Sequence, residues 1–459
     1  MIQTARRRQP LFGTDGVRGV AGNHPLDIPT ITRLGAAIVR TAPREPGRRG
    51  YRPRILIGRD TRESGAWIER ALSRGAAFEG GTTESAGVIP TPAVALLTAA
   101  RRYDLGVVIS ASHNPYEDNG IKVFSDRGEK ISEAREQEIE AVVADRSWEV
   151  DETGLSDAVP RVEYTDEYVA HVRRMLPDPA RLLDLKLAID CANGATSLAG
   201  PRLFHGLGLD TMVIGAAPDG RNINLECGST HPELLSAYVV KEGRDFGVAF
   251  DGDGDRAIFI AADGRVVDGD AVLLMCALHW KSLGRLPGDA IVATVMSNLG
   301  LELKLREHGI GLERCAVGDK YVAEVMQKKG IALGGEQSGH VIFSDDLFTG
   351  DGLATSLHVL RTMAATGREL GDLAGELQTY PQVLVNVRVQ RRVDLKTIPP
   401  VAAVMDEIDR RLAGHGRLLV RYSGTEPLLR IMLEGRDERE IRQWAQEIAD
   451  AVGRHIGDR

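Results

Sequence analysis

The chain has 459 residues, of which 43% are hydrophobic, 27% charged and only 5% aromatic, and its formal net charge is −8. That size allows roughly three or four domains and a substantial core. The acidic balance and scarcity of aromatic rings exclude a general binder of nucleic acid or anionic membrane, leaving room for a focused site that takes a small phosphorylated molecule.

Near the N-terminus, Arg6, Arg7 and Arg8 precede no apolar segment and read as a solvated tail. "LFGTDGVRG" at 11–19 follows, with glycines and Arg18; alone such a stretch is more often a tight turn than a phosphate cradle. Short β-branched runs then alternate with helical patterns: "RILIG" at 54–58, "LGVVIS" at 105–110, "LKLAID" at 185–190, "FGVAF" at 246–250 and "AIVATV" at 290–295. Helices are expected at "SGAWIERALSRGAAFEG" and "AVLLMCALHWKSLG", so the chain is read as α/β. The longest apolar run, Ala271 to Leu278, is too short to span a bilayer.

"DLGVVISAS" from Asp104 and "DFGVAFDGD" from Asp245 share one pattern, and "IALGGEQSG" from Ile331 is a fainter third copy. Repeated α/β units would put each following loop at the carboxyl end of a strand, where open sheets bind ligands. The acidic stretch at 146–164 reads as a linker, and "DGRVVDGD" at 263–270 as a turn into a third unit. A last unit from about 379, with helices at 400–413 and 437–455 and strands "LLVRYS" and "LLRIMLEG", reads as a small α+β domain. The four cysteines, Cys191, Cys227, Cys276 and Cys315, form no C-x-x-C pair; free thiols in a reducing cytoplasm fit that spacing.

The most informative loop is "FDGDGDRAIF" at 250–259. Asp251, Asp253 and Asp255 alternate with glycines, and carboxylates so close repel one another unless a cation gathers them. An all-oxygen donor set selects a hard ion, Mg²⁺ before Zn²⁺. Arg256 beside them makes sense if an anion lies between the two cations. "RYSGTEPLLR" at 421–430 offers Arg421, Ser423, Gly424, Thr425 and Arg430 as an anion nest. "GGEQSGH" at 334–340 gathers Glu336, Gln337, Ser338 and His340, donors and acceptors suited to sugar hydroxyls. In "SASHNPYEDNGIKVF" both Ser110 and Ser112 are candidate nucleophiles. No G-x-S-x-G elbow is present, and an adjacent histidine such as His113 is a poor base for its own neighbour.

Taken together and in order, "FGTDGVRG", "SASHNPYEDNGIKVF", "NINLECGSTHPE", "DGDGDR", "GGEQSGH" and "RYSGTEP" resemble the α-D-phosphohexomutases over nearly the whole chain. The resemblance implies three related α/β domains with mixed sheets and a smaller α+β C-terminal domain around a central active-site cleft. The domains would span 1–160 (phosphoserine loop), 161–262 (metal loop), 263–377 (sugar loop) and 378–459 (phosphate loop). Ser112 aligns with the family's phosphoserine, and one Mg²⁺ per active site would be held by Asp251, Asp253, Asp255 and an oxygen of phospho-Ser112.

Arg18 and Arg256 would support that centre, and Lys122 and His340 would assist proton transfer or charge stabilisation. Glu336 and Ser338 match the sugar-hydroxyl contacts; Arg421, Ser423, Gly424, Thr425 and, in the same loop, Arg430 match the site for the phosphate that is not transferred. Gln337 and the opening Ser110 resemble members acting on glucosamine phosphates, with a bisphosphorylated sugar as intermediate and activator on the route to UDP-N-acetylglucosamine. The competing readings are a member acting on glucose or mannose phosphates, a metal-dependent sugar phosphatase and a sugar-phosphate sensor. Implied partners are a small phosphosugar, no nucleic acid and no membrane, with a homodimer as the candidate assembly in the cytoplasm. Two departures from the common pattern are Lys320, where many relatives carry Arg, and Tyr422, which replaces a smaller residue.

Overall fold

The computed structural model describes residues 10–42, 51–151, 153–156, 158–412, 414–423 and 427–458, so the three N-terminal arginines lie outside the described residues. The first sheet is built from β1 (Val17–Val20), β2 (Arg54–Arg59), β3 (Thr82–Val88), β4 (Leu105–Ile109) and β5 (Asp118–Ser125), in the order β1-β5-β4-β2-β3. Its helices are α1 (Ile28–Arg40), α2 (Gly65–Phe78), α3 (Thr91–Ala100) and α4 (Glu133–Ala144). β4 is buried along its whole length, as expected for a central strand covered on both faces.

After α5 (Thr165–Arg173), the second sheet takes β6 (Lys186–Asp190), β7 (Asp210–Ile214), β8 (Phe246–Phe250), β9 (Ala257–Ala261) and β10 (Val266–Val267), in the order β10-β9-β8-β6-β7, with α6 (Thr196–Gly206) and α7 (Glu233–Lys241). A third sheet holds β11 (Ala290–Thr294), β12 (Gly311–Cys315), β13 (Leu333–Gly335) and β14 (Val341–Phe343), in the order β12-β11-β13-β14. α8 (Gly269–Ser282) begins at Asp268, whose carboxylate accepts the Ala271 N–H and so caps the helix.

These sheets repeat one plan. β4, β8 and β13 each run parallel to a neighbour, β2, β6 and β11 respectively, and are followed by an antiparallel strand, β5, β9 or β14. The sequence echo at Asp104, Asp245 and Ile331 is therefore structural. Each copy opens at the carboxyl end of its strand into a chemistry-bearing loop: 110–117, 251–256 and 336–340.

The chain divides into two compact units. The three sheets belong to the first, residues up to 296 with 312–375, and the second comprises 297–311 with 376–459. α9 (Leu299–Glu307) thus belongs to the second unit, its Asn298 cap bonded to both N–H and C=O of Tyr380. α10 (Asp319–Lys329), α11 (Gly352–Thr366) and α12 (Leu370–Ala374) return to the first. The second unit continues with β15 (Gln382–Arg388), α13 (Pro399–Leu412), β16 (Gly416–Tyr422), β17 (Leu428–Gly435) and α14 (Glu438–Ile456), its antiparallel sheet ordered β15-β17-β16. In α14, Ile441, Ala445, Ile448, Val452 and Ile456 recur at helical spacing and pack with Leu429, Ile431 and Leu433 of the sheet.

All four cysteines are free and buried. Among the described residues no helix is long and apolar enough to cross a membrane.

In the first unit α5 and α11 are tied by a buried polar contact. The Tyr168 hydroxyl lies 2.9 Å from both oxygens of Asp351, which also caps α11 by accepting the Ala354 N–H at 3.0 Å. Burial raises the Asp351 carboxyl from 3.8 to about 6, against the lowering effect of those hydrogen bonds. The native state then binds a proton that the unfolded chain has released, so this group's contribution to stability is lost as pH rises through its folded pKa. Melting temperatures of Asp351→Asn and its parent, measured from about pH 4 to about pH 7, should diverge in favour of the variant as pH rises. Parallel curves would contradict this.

Candidate active site

Ser112 lies three residues beyond the end of β4 at Ile109. It is 1% exposed and has φ 53°, a left-handed conformation uncommon for a non-glycine residue. The turn aims its Oγ at the second domain, where it donates to Asp251 Oδ2 at 2.5 Å. Ser110, the other candidate, is fully buried and spends its hydroxyl on Asp60 Oδ2 at 2.6 Å while accepting the Ser112 N–H at 2.9 Å. Structure therefore separates the two serines: Ser110 supports and Ser112 presents.

Asp251, Asp253 and Asp255 are buried, and each offers a carboxylate oxygen lying within 4.8 Å of the other two. Lys122, on β5, brings its ammonium to 2.6 Å from Asp253 and 3.2 Å from Asp255. Burial would lower the Lys122 pKa, but Asp253 and Asp255 more than offset it and raise it. Asp253 falls below the usual carboxylate range because Lys122 outweighs burial, with a further hydrogen bond from Thr91 Oγ1 at 2.6 Å. Asp251 is pushed well up by burial and by Asp255 and Asp253. One oxygen each of Asp253 and Asp255 is buried without a hydrogen-bond partner. Such a set of hard, convergent oxygens fits a divalent cation.

The glycine between the first two aspartates is there for space. A Cβ on Gly252 would stand 2.5 Å from the Ser112 carbonyl oxygen and 2.9 Å from Asn224 Nδ2. The bare backbone lets the acidic loop lie directly against the serine loop.

Arg256 is anchored by its own N–H on Asp251 Oδ1 at 3.2 Å and lies near the carboxylates of Asp255 and Glu336. Its guanidinium reaches His113 Nδ1 at 3.2 Å, and that same nitrogen is 3.4 Å from Ser112 Oγ. The imidazole therefore does fold back toward its neighbouring serine, contrary to what adjacency in sequence leads one to expect. Because Arg256 occupies the Nδ1 lone pair, and burial followed by Arg256 and Arg18 lowers the His113 pKa, the ring is a neutral contact of Arg256. Arg18, on β1, pairs with Asp15 at 3.5 Å.

From the third sheet, Glu336 is largely buried and accepts the Gly318 N–H at 3.0 Å, while Ser338 is exposed. Gln337 donates to Asp268 Oδ2 at 3.0 Å. His340 is 1% exposed; its Nε2 accepts the Gly350 N–H at 3.2 Å and lies 3.4 Å from Asp319. Asp319 is held low: burial raises it, but Lys130, His340 and Lys122 outweigh burial. Lys130 and Asp319, 2.5 Å apart, form a charged pair behind His340 that no local motif announced. Lys320 turns its ammonium to Glu136 at 3.1 Å.

In the second unit, Arg421 and Arg430 are directly opposite one another on β16 and β17. Like charges directly opposite in that register repel, and burial followed by Arg430 lowers the Arg421 pKa. Ser423 is buried, its carbonyl taking a bond from Arg392 at 2.6 Å. Tyr422 donates its hydroxyl to the Val393 carbonyl at 2.7 Å, which gives the larger residue a structural use. Gly424 and Thr425 lie outside the described residues.

Three mixed α/β sheets with chemistry at equivalent loops, followed by a small antiparallel domain, define the class of a multidomain phosphohexomutase. The family described as phosphoglucomutase/phosphomannomutase matches in all four parts: α/β/α domain I over residues 9–149, domain II over 166–264, domain III over 268–380 and the C-terminal domain over 384–451. The chain belongs to that family and is an enzyme of the phosphohexomutase type.

Among its relatives, the phosphoglucosamine mutase of Syntrophotalea carbinolica is 45% identical over 457 residues, spanning 98% of this chain and 99% of that one. The phosphoglucosamine mutase of Solibacter usitatus is 46% identical over 456 residues, with the same shares. Among solved structures, a phosphoglucomutase/phosphomannomutase family protein from Burkholderia thailandensis superposes with TM-score 0.79 at 24% identity, covering 98% of this chain and 99% of that one. The N-acetylphosphoglucosamine mutase of Aspergillus fumigatus, solved with GlcNAc-6P and magnesium, shares the fold at TM-score 0.64 and 18% identity, covering 96% and 95%.

Gly252→Ala should destabilise the first unit by about 1–3 kcal/mol, because the new methyl must displace a carbonyl and an amide that are both hydrogen-bonded. Chemical denaturation measures it, and an unchanged midpoint would contradict the close approach described above.

Proposed function

We propose that the chain is a phosphoglucosamine mutase, interconverting glucosamine 6-phosphate and glucosamine 1-phosphate and so feeding UDP-N-acetylglucosamine synthesis. The observation that carries the reading is the 2.5 Å contact of Ser112 Oγ with Asp251, inside a cluster of three carboxylates flanked by Lys122 and Arg256. A serine so placed carries a phosphoryl group rather than attacking an ester. Full-length identity of 45% to proteins of that name supports the glucosamine substrate.

Asp251, Asp253 and Asp255, with an oxygen on Ser112, would hold one Mg²⁺, which neutralises phosphoryl oxygens when bound. Phospho-Ser112 passes its phosphoryl group to the free hydroxyl of the sugar monophosphate: the Ser112 O–P bond breaks as the sugar O–P bond forms. The bisphosphorylated sugar then returns its other phosphoryl group to Ser112, and the same bisphosphate serves as activator. Arg256, Arg18 and Lys122 neutralise the transferring group, for which in-line placement and charge matter more than covalent help. Lys122, whose ammonium lies 2.6 Å from Asp253, assists by charge stabilisation or proton transfer. His340 stands beside Asp319 as the group to exchange a proton with the sugar. Glu336 and Ser338 read sugar hydroxyls, and Arg421, Ser423, Gly424, Thr425 and Arg430 hold the phosphate that stays. The four domains are proposed to meet near residues 160, 262 and 377, and the enzyme to work in the cytoplasm, with a homodimer as its candidate assembly.

kcat/KM compared on glucosamine, glucose and mannose 6-phosphates should be highest for the amino sugar. A higher value for either neutral sugar would reassign the substrate, and steady release of inorganic phosphate at the isomerisation rate would favour a phosphatase. Ser112→Ala should abolish turnover while glucosamine 6-phosphate still binds in calorimetry; retained turnover would refute the assigned carrier. Arg421→Ala should raise KM about tenfold or more through loss of a charge-assisted contact to phosphate. A fall in kcat at constant KM would contradict that role.

A further inference from the structure

The "NINLECGSTHPE" loop and the buried "GRDTR" turn are given no part in the chemistry above, yet both converge on the backbone that carries Ser112. A non-glycine residue at φ 53° is held there against a cost of about 1–2 kcal/mol, so the surroundings must over-determine it. Arg62, in the turn between β2 and α2, has a side chain with no exposed surface. Its Nε donates to Asp60 at 2.8 Å, and its two terminal nitrogens donate to the carbonyls of Ser112 at 2.9 Å, Asn114 at 2.8 Å, and Pro115.

From the opposite side, Asn224 follows β7 and is itself at φ 57°. It donates Nδ2 to the same Ser112 carbonyl at 2.9 Å and to the Asn114 carbonyl at 3.1 Å. Its own N–H is fixed on the Ala192 carbonyl at 2.9 Å. The carbonyls of residues 112 and 114 thus each take two donors, one from the first domain and one from the second. A carbonyl has two lone pairs, so this clamp is saturated.

We propose that Arg62 and Asn224 are positioning residues for the phosphoryl-carrying serine. By locking the 112–114 backbone from two domains, they return Ser112 Oγ to one place beside Asp251 for both transfers in a cycle. The inference rests on the mutase reading. It adds that the fidelity of phosphoryl return depends on a carboxamide and a guanidinium that never touch the sugar. Misplacing a reacting atom by about 1 Å is enough to cost on the order of 100-fold in rate.

Asn224→Gly is the informative variant, because glycine tolerates the positive φ while removing both donors. Asn224→Asp turns the donors into acceptors facing carbonyls. Arg62→Lys keeps a charge beside Asp60 but cannot span three carbonyls.

For each folded variant, kcat, KM, melting temperature and the fraction of cycles that release inorganic phosphate or free bisphosphate are measured on glucosamine 6-phosphate. We expect kcat of Asn224→Gly to fall about 10- to 100-fold, with KM within about threefold of the parent. The fraction of phosphoryl groups lost to water or as free bisphosphate should rise. The aspartate and lysine variants should show the same split. Parent-like kcat and leakage in folded Asn224→Gly would overturn the inference, as would a loss of kcat that merely tracks a lower melting temperature with leakage unchanged. Absence of mutase turnover in the parent would instead overturn the functional reading itself.

Discussion

Three carboxylates buried within 4.8 Å of one another are the constraint on which the rest of the first unit depends. Such a cluster is expensive to desolvate and self-repelling, and breaking its compensation would leave uncompensated buried charge. The compensation is visibly distributed. Lys122 comes from the first sheet, Thr91 from the start of α3, Arg256 from the cluster's own loop, and Ser112 donates to Asp251. Because partners of the cluster arise on both the first and second domains, the same charge compensation fixes how the two loops meet. Gly252 and the double clamp on the Ser112 and Asn114 carbonyls are the backbone side of the same arrangement.

The loops of the first unit show why a repeated fold suits this chemistry. Each copy ends a buried parallel strand in a polar loop, and the three loops differ in what they hold: the Ser112 hydroxyl, the three aspartates, and Glu336 with Ser338 and His340. The second unit adds a different device. Arg421 and Arg430 oppose each other across an antiparallel pair, a register in which like charges repel.

Much of this was legible in the sequence because the signals are local. The apolar runs of β4 and β8 are continuous, the alternating aspartates have no ordinary structural use, and the matching patterns from Asp104 and Asp245 betray the repeat. What was not legible depends on contacts far apart in the chain. Nothing near Ser110 says that its hydroxyl is consumed by Asp60, and nothing in "NINLE" says that Asn224 reaches Ser112, 112 residues away. A histidine seldom faces its chain neighbour, but the positive φ at Ser112 bends the chain so that His113 does. α9 carries no local mark of its membership in the second unit, since an amphipathic pattern says that a face is buried but not against what.

The central claim, that Ser112 beside Asp251 carries the transferred phosphoryl group, is tested most directly by intact-mass and peptide mapping of enzyme quenched during turnover of glucosamine 6-phosphate. A single phosphoryl group on Ser112 is expected, and when enzyme carrying an isotope-labelled phosphoryl group meets excess monophosphate the label should pass to the sugar while Ser112 stays phosphorylated. A phosphoryl group on any other residue, or label that stays on Ser112 through many turnovers, would contradict that role.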